Sequence, residues 1–306
     1  MNKLTLLIVL QKLSFGIIFV LMTASFPIGL YLIIDYGNNE NINFDHNLEF
    51  RLRLPLIGSH LVQMDLGYAF IVLWCILLTL FIIAILMSRR NLFKFTDLDN
   101  HPNIVRTIIY WFVILVFLSG TINFIQEQIG MFGNTPNFDT LLNFFDVSKA
   151  PIIEEIGFRV SLIGLPIFLL HSTKSIRYFL KTLYRPSHID VQKIHYLLLI
   201  IISGILFGLL HVLFNEFWDI SKLAQATISG IILGWTYFRY GFIVSVLIHW
   251  SINYFVFAYI FLTSYITNLH IQEAISHPFI NILEILFMIS GIISICILAT
   301  NYFKQK

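Results

Sequence analysis

The sequence predicts an all-α fold, a polytopic membrane bundle of about eight transmembrane helices with both termini in the cytoplasm. Three observations lead there. First, 58% of the 306 residues are hydrophobic and only 12% are charged, against roughly 45–50% and 25% in soluble domains. Second, apolar runs recur along the chain at about the length that crosses a hydrocarbon core of roughly 30 Å. Third, the lysines and arginines between these runs fall mostly on one side. A soluble enzyme, a disordered chain and a secreted disulfide scaffold are excluded. Cys75 and Cys296 both sit in apolar runs and make neither a disulfide framework nor a cysteine metal site. A net charge of +2 gives no reason to expect nucleic acid as a partner. The bias toward Ile, Phe, Asn, Leu and Lys is that of an AT-rich bacterial genome, so a bacterial plasma membrane is the expected location.

The spans are expected near 13–34, 66–88, 104–125, 151–171, 195–215, 223–238, 242–263 and 280–303. The first is too long for a cleaved signal peptide, and no Ala-x-Ala site follows it. Pro27 predicts a kink in it. Helices are required because lipid offers no water to backbone groups. With the N-terminus inside, fourteen cations face the cytoplasm: Lys3, Lys12, Arg89, Arg90, Lys94, Arg106, Lys174, Arg177, Lys181, Arg185, Lys193, Arg239, Lys304 and Lys306. Only four face outward: Arg51, Arg53, Lys149 and Lys222. Segment 35–65 reads as an extracytoplasmic loop rather than a domain. Segment 137–150 is amphipathic and reads as an interfacial helix leading into span four. The chain thus divides into helices 1–3 (1–130), a core of helices 4–7 (137–265) and a last helix (280–306).

Ionisable residues inside spans are costly and mark function by default. Span four opens Pro151-Ile-Ile-Glu-Glu-Ile-Gly-Phe-Arg159. Glu155 and Arg159 are i and i+4 on one helix face and can pair. Glu154 points about 100° away and lacks that partner. The plainer alternative is that both carboxylates simply favour a helix N-terminus. Phe207 and His211 are again i and i+4, so a ring can pack beside the imidazole. His249 and Asn253 share a face of span seven in the same way. Each of these groups costs free energy to bury unpaired. They are expected to meet in one polar, water-containing cavity. Gly204, Gly208, Gly230 and Gly234 recur at four-residue spacing on spans five and six, which suits close helix packing. Trp74, Trp111, Trp235 and Trp250 are read as packing residues, Tyr254 as packing or interfacial, and Glu284 as interfacial. His171 and His195 are read as hydrated span ends.

Glu-Glu-x-x-x-Arg at 154–159, Phe-x-x-x-His at 207–211 and His-x-x-x-Asn at 249–253 occur in order on separate helices. Over residues 145–265 this pattern resembles the CPBP family of intramembrane proteases. That family includes the Ras-converting type of CAAX prenyl endopeptidase and bacterial relatives linked to bacteriocin production or immunity. The resemblance implies that Glu154 is the general base and that His211 helps it hold a water. His249 and Asn253 would donate to the oxyanion, Glu155 and Arg159 would brace the start of span four, and Phe207 would position His211. No cofactor is expected. Zinc is the alternative, with Glu154, His211 and His249 as ligands and a fourth position open, although no His-Glu-x-x-His occurs. Rhomboid-type Gly-x-Ser-Gly and presenilin-type Gly-x-Gly-Asp are also absent.

The expected substrate is a membrane-associated peptide or protein. A competing reading is a non-catalytic membrane partner or self-immunity protein binding through the same cavity, and another is a transporter. One tension stands out. Glu154 and His211 are expected near the outer ends of their spans, whereas His249 is about 10 Å from the inner end of its own.

Overall fold

A computed structural model of the protein describes residues 3–39, 47–54, 58–89, 103–131, 141–170, 175–213 and 220–304. The expected bundle is present. Among the described residues, six helices are long and apolar enough to cross a membrane. They are α1 (Lys3–Asn39), α2 (Leu66–Ser88), α3 (Ile104–Gln128), α7 (Lys193–Leu213), the run of α9 (Phe242–Trp250) and α10 (Val256–Thr267), and α12 (Pro278–Lys304). Expected spans 151–171 and 223–238 are not among the six. The first is broken into α4 (Leu141–Glu154), a π-helical stretch Glu155–Gly164 and α5 (Leu165–Leu170). The second is α8 (Lys222–Tyr240), which carries Lys222, Gln225 and Ser229. Glu154 at the end of α4 and Lys222, Gln225 and Ser229 of α8 border the polar cavity described below.

The structure adds local detail that the sequence reading did not give. Segment 35–65 contains an antiparallel hairpin, β1 (Asn47–Leu54) with β2 (Gly58–Asp65), in register from Asn47↔Asp65 to Leu54↔Gly58. Of the amphipathic segment 137–150, residues 141–150 are helical and lead into span four as expected, with α4 running from Leu141 directly into the π-helical stretch. The loop between spans four and five holds α6 (Ile176–Tyr184), whose Ile176, Leu180 and Tyr184 are exposed along one face, and α11 (Ile271–Ile275) precedes α12. His171 lies outside the described residues. His195 and Glu284 are exposed.

Aromatic rings hold the centre. Trp250 stacks on Phe26 with centroids 5.1 Å apart and lies 5.4 Å from Phe81. Tyr254 is fully buried, 5.8 Å from Trp250, and donates to the Ser25 carbonyl. It is therefore a packing residue and not an interfacial one. The glycines act as expected. A Cβ on Gly230 would fall 2.9 Å from Gly204 Cα, and one on Gly208 would meet Thr227 and the Leu223 carbonyl. Helices α7 and α8 touch backbone to backbone, which fixes where Phe207 and His211 stand against α8.

Candidate active site

Four elements bring their polar residues together. Glu154 closes α4, His211 lies near the end of α7, His249 is on α9, and Asn253 is in the π-helical stretch Ser251–Phe255. Glu154 Oε2 is 3.8 Å from His211 Nε2 and 3.7 Å from His249 Nε2. Asn253 Nδ2 is 3.5 Å from His249 Nε2 and donates to the Val147 carbonyl at 3.2 Å. These residues border a cavity of about 410 Å³.

The expected mismatch of depth is absent, and the N-terminal-turn reading of the two glutamates falls with it. The reason is the helix start. Helix α4 begins at Leu141, so Glu154 sits about 20 Å along it. It meets His249 from the neighbouring antiparallel run, in which Asn253 reaches Val147 and Ser245 reaches Glu155.

The adjacent glutamates have different partners. Glu155 is fully buried. It lies 3.2 Å from Arg159 Nε, accepts from the Ser245 hydroxyl, and sits 3.0 Å from His249 Nδ1. Arg159 is fully buried as well, with its guanidinium 4.6 Å from the Phe207 ring centroid and 5.8 Å from that of Phe158. None of its nitrogens makes a hydrogen bond among the described residues. It is held instead by the close ion pair and by two ring faces. Phe207 also lies 4.4 Å from the His211 ring. Glu154, by contrast, keeps 25% of its side chain exposed and its Oε2 has no hydrogen-bond partner among the described residues.

The histidine tautomers follow from these partners. His211 Nδ1 lies 2.8 Å from the Phe207 carbonyl, which can only accept, so Nδ1 carries the proton. His249 Nδ1 faces the Glu155 carboxylate and carries its proton for the same reason. Neutral His211 and His249 therefore both turn an Nε2 lone pair toward Glu154 Oε2. Three acceptors converge at separations too long for direct hydrogen bonds. A water between them can donate to two of the three. Glu154, His211 and His249 were also the expected zinc ligands. Among the described residues no three His, Cys, Asp or Glu side chains are arranged to hold a metal ion.

Sequence reading missed Ser245, the buried hydroxyl that donates to Glu155, and several lining residues. Ser245 is i−4 from His249 and i−8 from Asn253, a spacing that was available as a signal. Asn143 and Asp146 on α4, and Lys222, Gln225 and Ser229 on α8, also border the cavity. Each recurs at three- or four-residue spacing, facing Glu154's helix or continuing it.

Residues 136–255 match the family described as Type II CAAX prenyl endopeptidase Rce1-like. This segment is similar to the Rce1-like domain over 120 of the chain's 306 residues. The match is consistent with the resemblance to the CPBP intramembrane proteases, and it spans all three motifs. The matched segment runs from just before α4 through the π-helical stretch that carries Asn253, so it contains His211, His249 and Asn253 as well as Glu154. The family supports a membrane protease of the CAAX type. No curated protein and no solved structure matches the chain.

Proposed function

We propose that the protein is an intramembrane endopeptidase that hydrolyses a peptide bond of a membrane-associated peptide or protein, with Glu154 activating the attacking water. The observation that carries this reading is the meeting of Glu154 Oε2 with His211 Nε2 and His249 Nε2, each within 4 Å, in one cavity. Water held there gives a proton to Glu154 as its oxygen attacks the carbonyl carbon. His211, with its Nδ1 proton tied to the Phe207 carbonyl, keeps its Nε2 on that water. The tetrahedral oxyanion then needs donors. Asn253 supplies an amide N–H. His249, its Nδ1–H donated to Glu155, adds an Nε2–H only in the form that has taken a second proton from solvent through the cavity, and it returns that proton to solvent when the oxyanion collapses. Glu154 returns its proton to the leaving amine as the C–N bond breaks.

Glu155, Arg159 and Ser245 act through His249. They hold its Nδ1 proton and its ring direction, as a buried carboxylate does behind a catalytic imidazole. The test is cleavage of fluorogenic peptides by purified protein, with and without a chelator. Activity that survives chelation and is lost in Glu154→Gln and His211→Ala supports this mechanism. Activity lost on chelation and restored by zinc would make Glu154, His211 and His249 ligands instead.

A further inference from the structure

We propose that the cavity takes its substrate from the extracytoplasmic side, so that the polypeptide segment it cleaves is one presented outside the cytoplasm. This deepens the protease reading and rests on it.

The first observation is the position of the site along the bundle. His211 is two residues from Leu213, the last described residue of α7, and Lys222 is the first residue of α8. From Lys193 to His211, and from Lys222 to Tyr240, is about 27 Å at 1.5 Å per residue. The site therefore lies at the end of α7 and α8 remote from Lys193 and Tyr240, about 20 Å along α4 from Leu141 and about 10 Å along α9 from Phe242, and the direction of the cavity walls decides which way it opens.

The second observation is which face is the far one. The end of the bundle remote from the site bears Arg106, Arg177, Lys181, Arg185, Lys193 and Arg239. Arg185 donates there to the Arg239 carbonyl, tying the α6–α7 connection to the end of α8. Cation excess marks the cytoplasmic side. The site end is thus extracytoplasmic.

The third observation is the seal between the two. Below Glu154, toward the basic end, stand Ile163, Leu233, Tyr237 and Leu247, none more than 1% exposed. The buried Glu155–Arg159 pair lies in the same layer. The cavity walls run the other way. Asn143 lies about 16 Å beyond Glu154 along α4, on the side away from the basic end, and it borders the same cavity as Gln225. A hydrated polypeptide can reach Glu154 past amide and hydroxyl groups from the outside. From the cytoplasm it would have to displace a fully buried layer of packed side chains and the Glu155–Arg159 pair.

The experiment uses the full chain with Cys75 and Cys296 replaced by alanine and one new cysteine at a time, treated in intact cells with a membrane-impermeant maleimide. Gln225→Cys reports the cavity, Gln128→Cys the near end and Lys181→Cys the basic end. The expected result is labelling of the first two in intact cells and of Lys181→Cys only after permeabilisation. The proposal is overturned if Gln225→Cys labels only from the inside, if it resists while Gln128→Cys reacts, or if Lys181→Cys labels in intact cells. The labelling needs no catalysis. A Gln225→Cys protein that labels from outside while the parent protein cleaves no peptide added to that face would remove the protease reading and leave the sidedness standing.

Discussion

Glu154 and Glu155 are adjacent in sequence and have opposite surroundings. Glu155 is sealed among Arg159, Ser245 and His249, whereas Glu154 faces a cavity and two imidazole lone pairs. Their substitutions should therefore fail differently. Glu154→Gln keeps shape and removes the base, so it should fold normally, with an unchanged thermal midpoint in detergent, and lose roughly 10²–10⁴-fold in peptide cleavage. Glu155→Ala strands the fully buried Arg159 cation, and breaking such a pair costs about 3–5 kcal/mol. It should lower the thermal midpoint sharply, or prevent recovery of folded protein altogether. A Glu155→Ala protein that melts like the parent would show that Arg159 does not depend on its carboxylate. The position of Asn253 gives a third test. Its amide donates to the Val147 carbonyl and, in the proposed mechanism, to the oxyanion, so Asn253→Ala should reduce kcat more than it raises KM.

Regular helices would not bring these residues together. Two π-helical stretches, Glu155–Gly164 and Ser251–Phe255, flank the site. A wider turn leaves carbonyls without their usual partner and turns side chains off the regular helical stripe. The Phe158 carbonyl is taken up by the Ser203 hydroxyl at 3.0 Å, which ties the π-helical stretch to α7. The α7–α8 contact is the other positional device, because its glycines let the chain that carries His211 approach closely. Gly230→Ala would place a Cβ 2.9 Å from Gly204 Cα and 3.0 Å from Phe207 Cβ. Overpacking of this kind costs about 1–3 kcal/mol. The expected outcome is a lower thermal midpoint together with weaker cleavage, since Phe207 is displaced. Gly16→Ala, with nothing within 4 Å of the added atom, should change neither.

Across the whole molecule, the motif-bearing helices do not own their core. Trp250 follows His249 directly and is walled by Phe26 of α1 and Phe81 of α2, and Phe255 contacts Phe112 of α3 and Phe287 of α12. Expressed alone, residues 137–265 would leave Trp250, Tyr254 and Phe255, all fully buried in the whole chain, without partners on one side. In lipid it is this packing, not water exclusion, that holds helices together. The fragment should show no cooperative melt and no cleavage, and co-expression with residues 1–130 should restore both in part.

The sequence by itself determined the bundle, the six strongest spans and the residues that mark the site. Each of these rests on local chemistry: a long apolar run can only be a buried helix in lipid, and a carboxylate or imidazole inside one needs a reason. It also carried signals that period counting could have used. Leu48, Phe50, Leu52 and Leu54 alternate with Glu49, Arg51 and Arg53 in the hairpin, and Ser245 lies on the His249–Asn253 face. Only the tertiary structure decided the depth of Glu154, the width of the two π-helical turns, the tautomer of His249 and the buried layer beneath the cavity. Those depend on where a neighbouring helix places a carbonyl, a carboxylate or a ring. Such contacts join residues about 50 to 100 positions apart, and no local spacing encodes them.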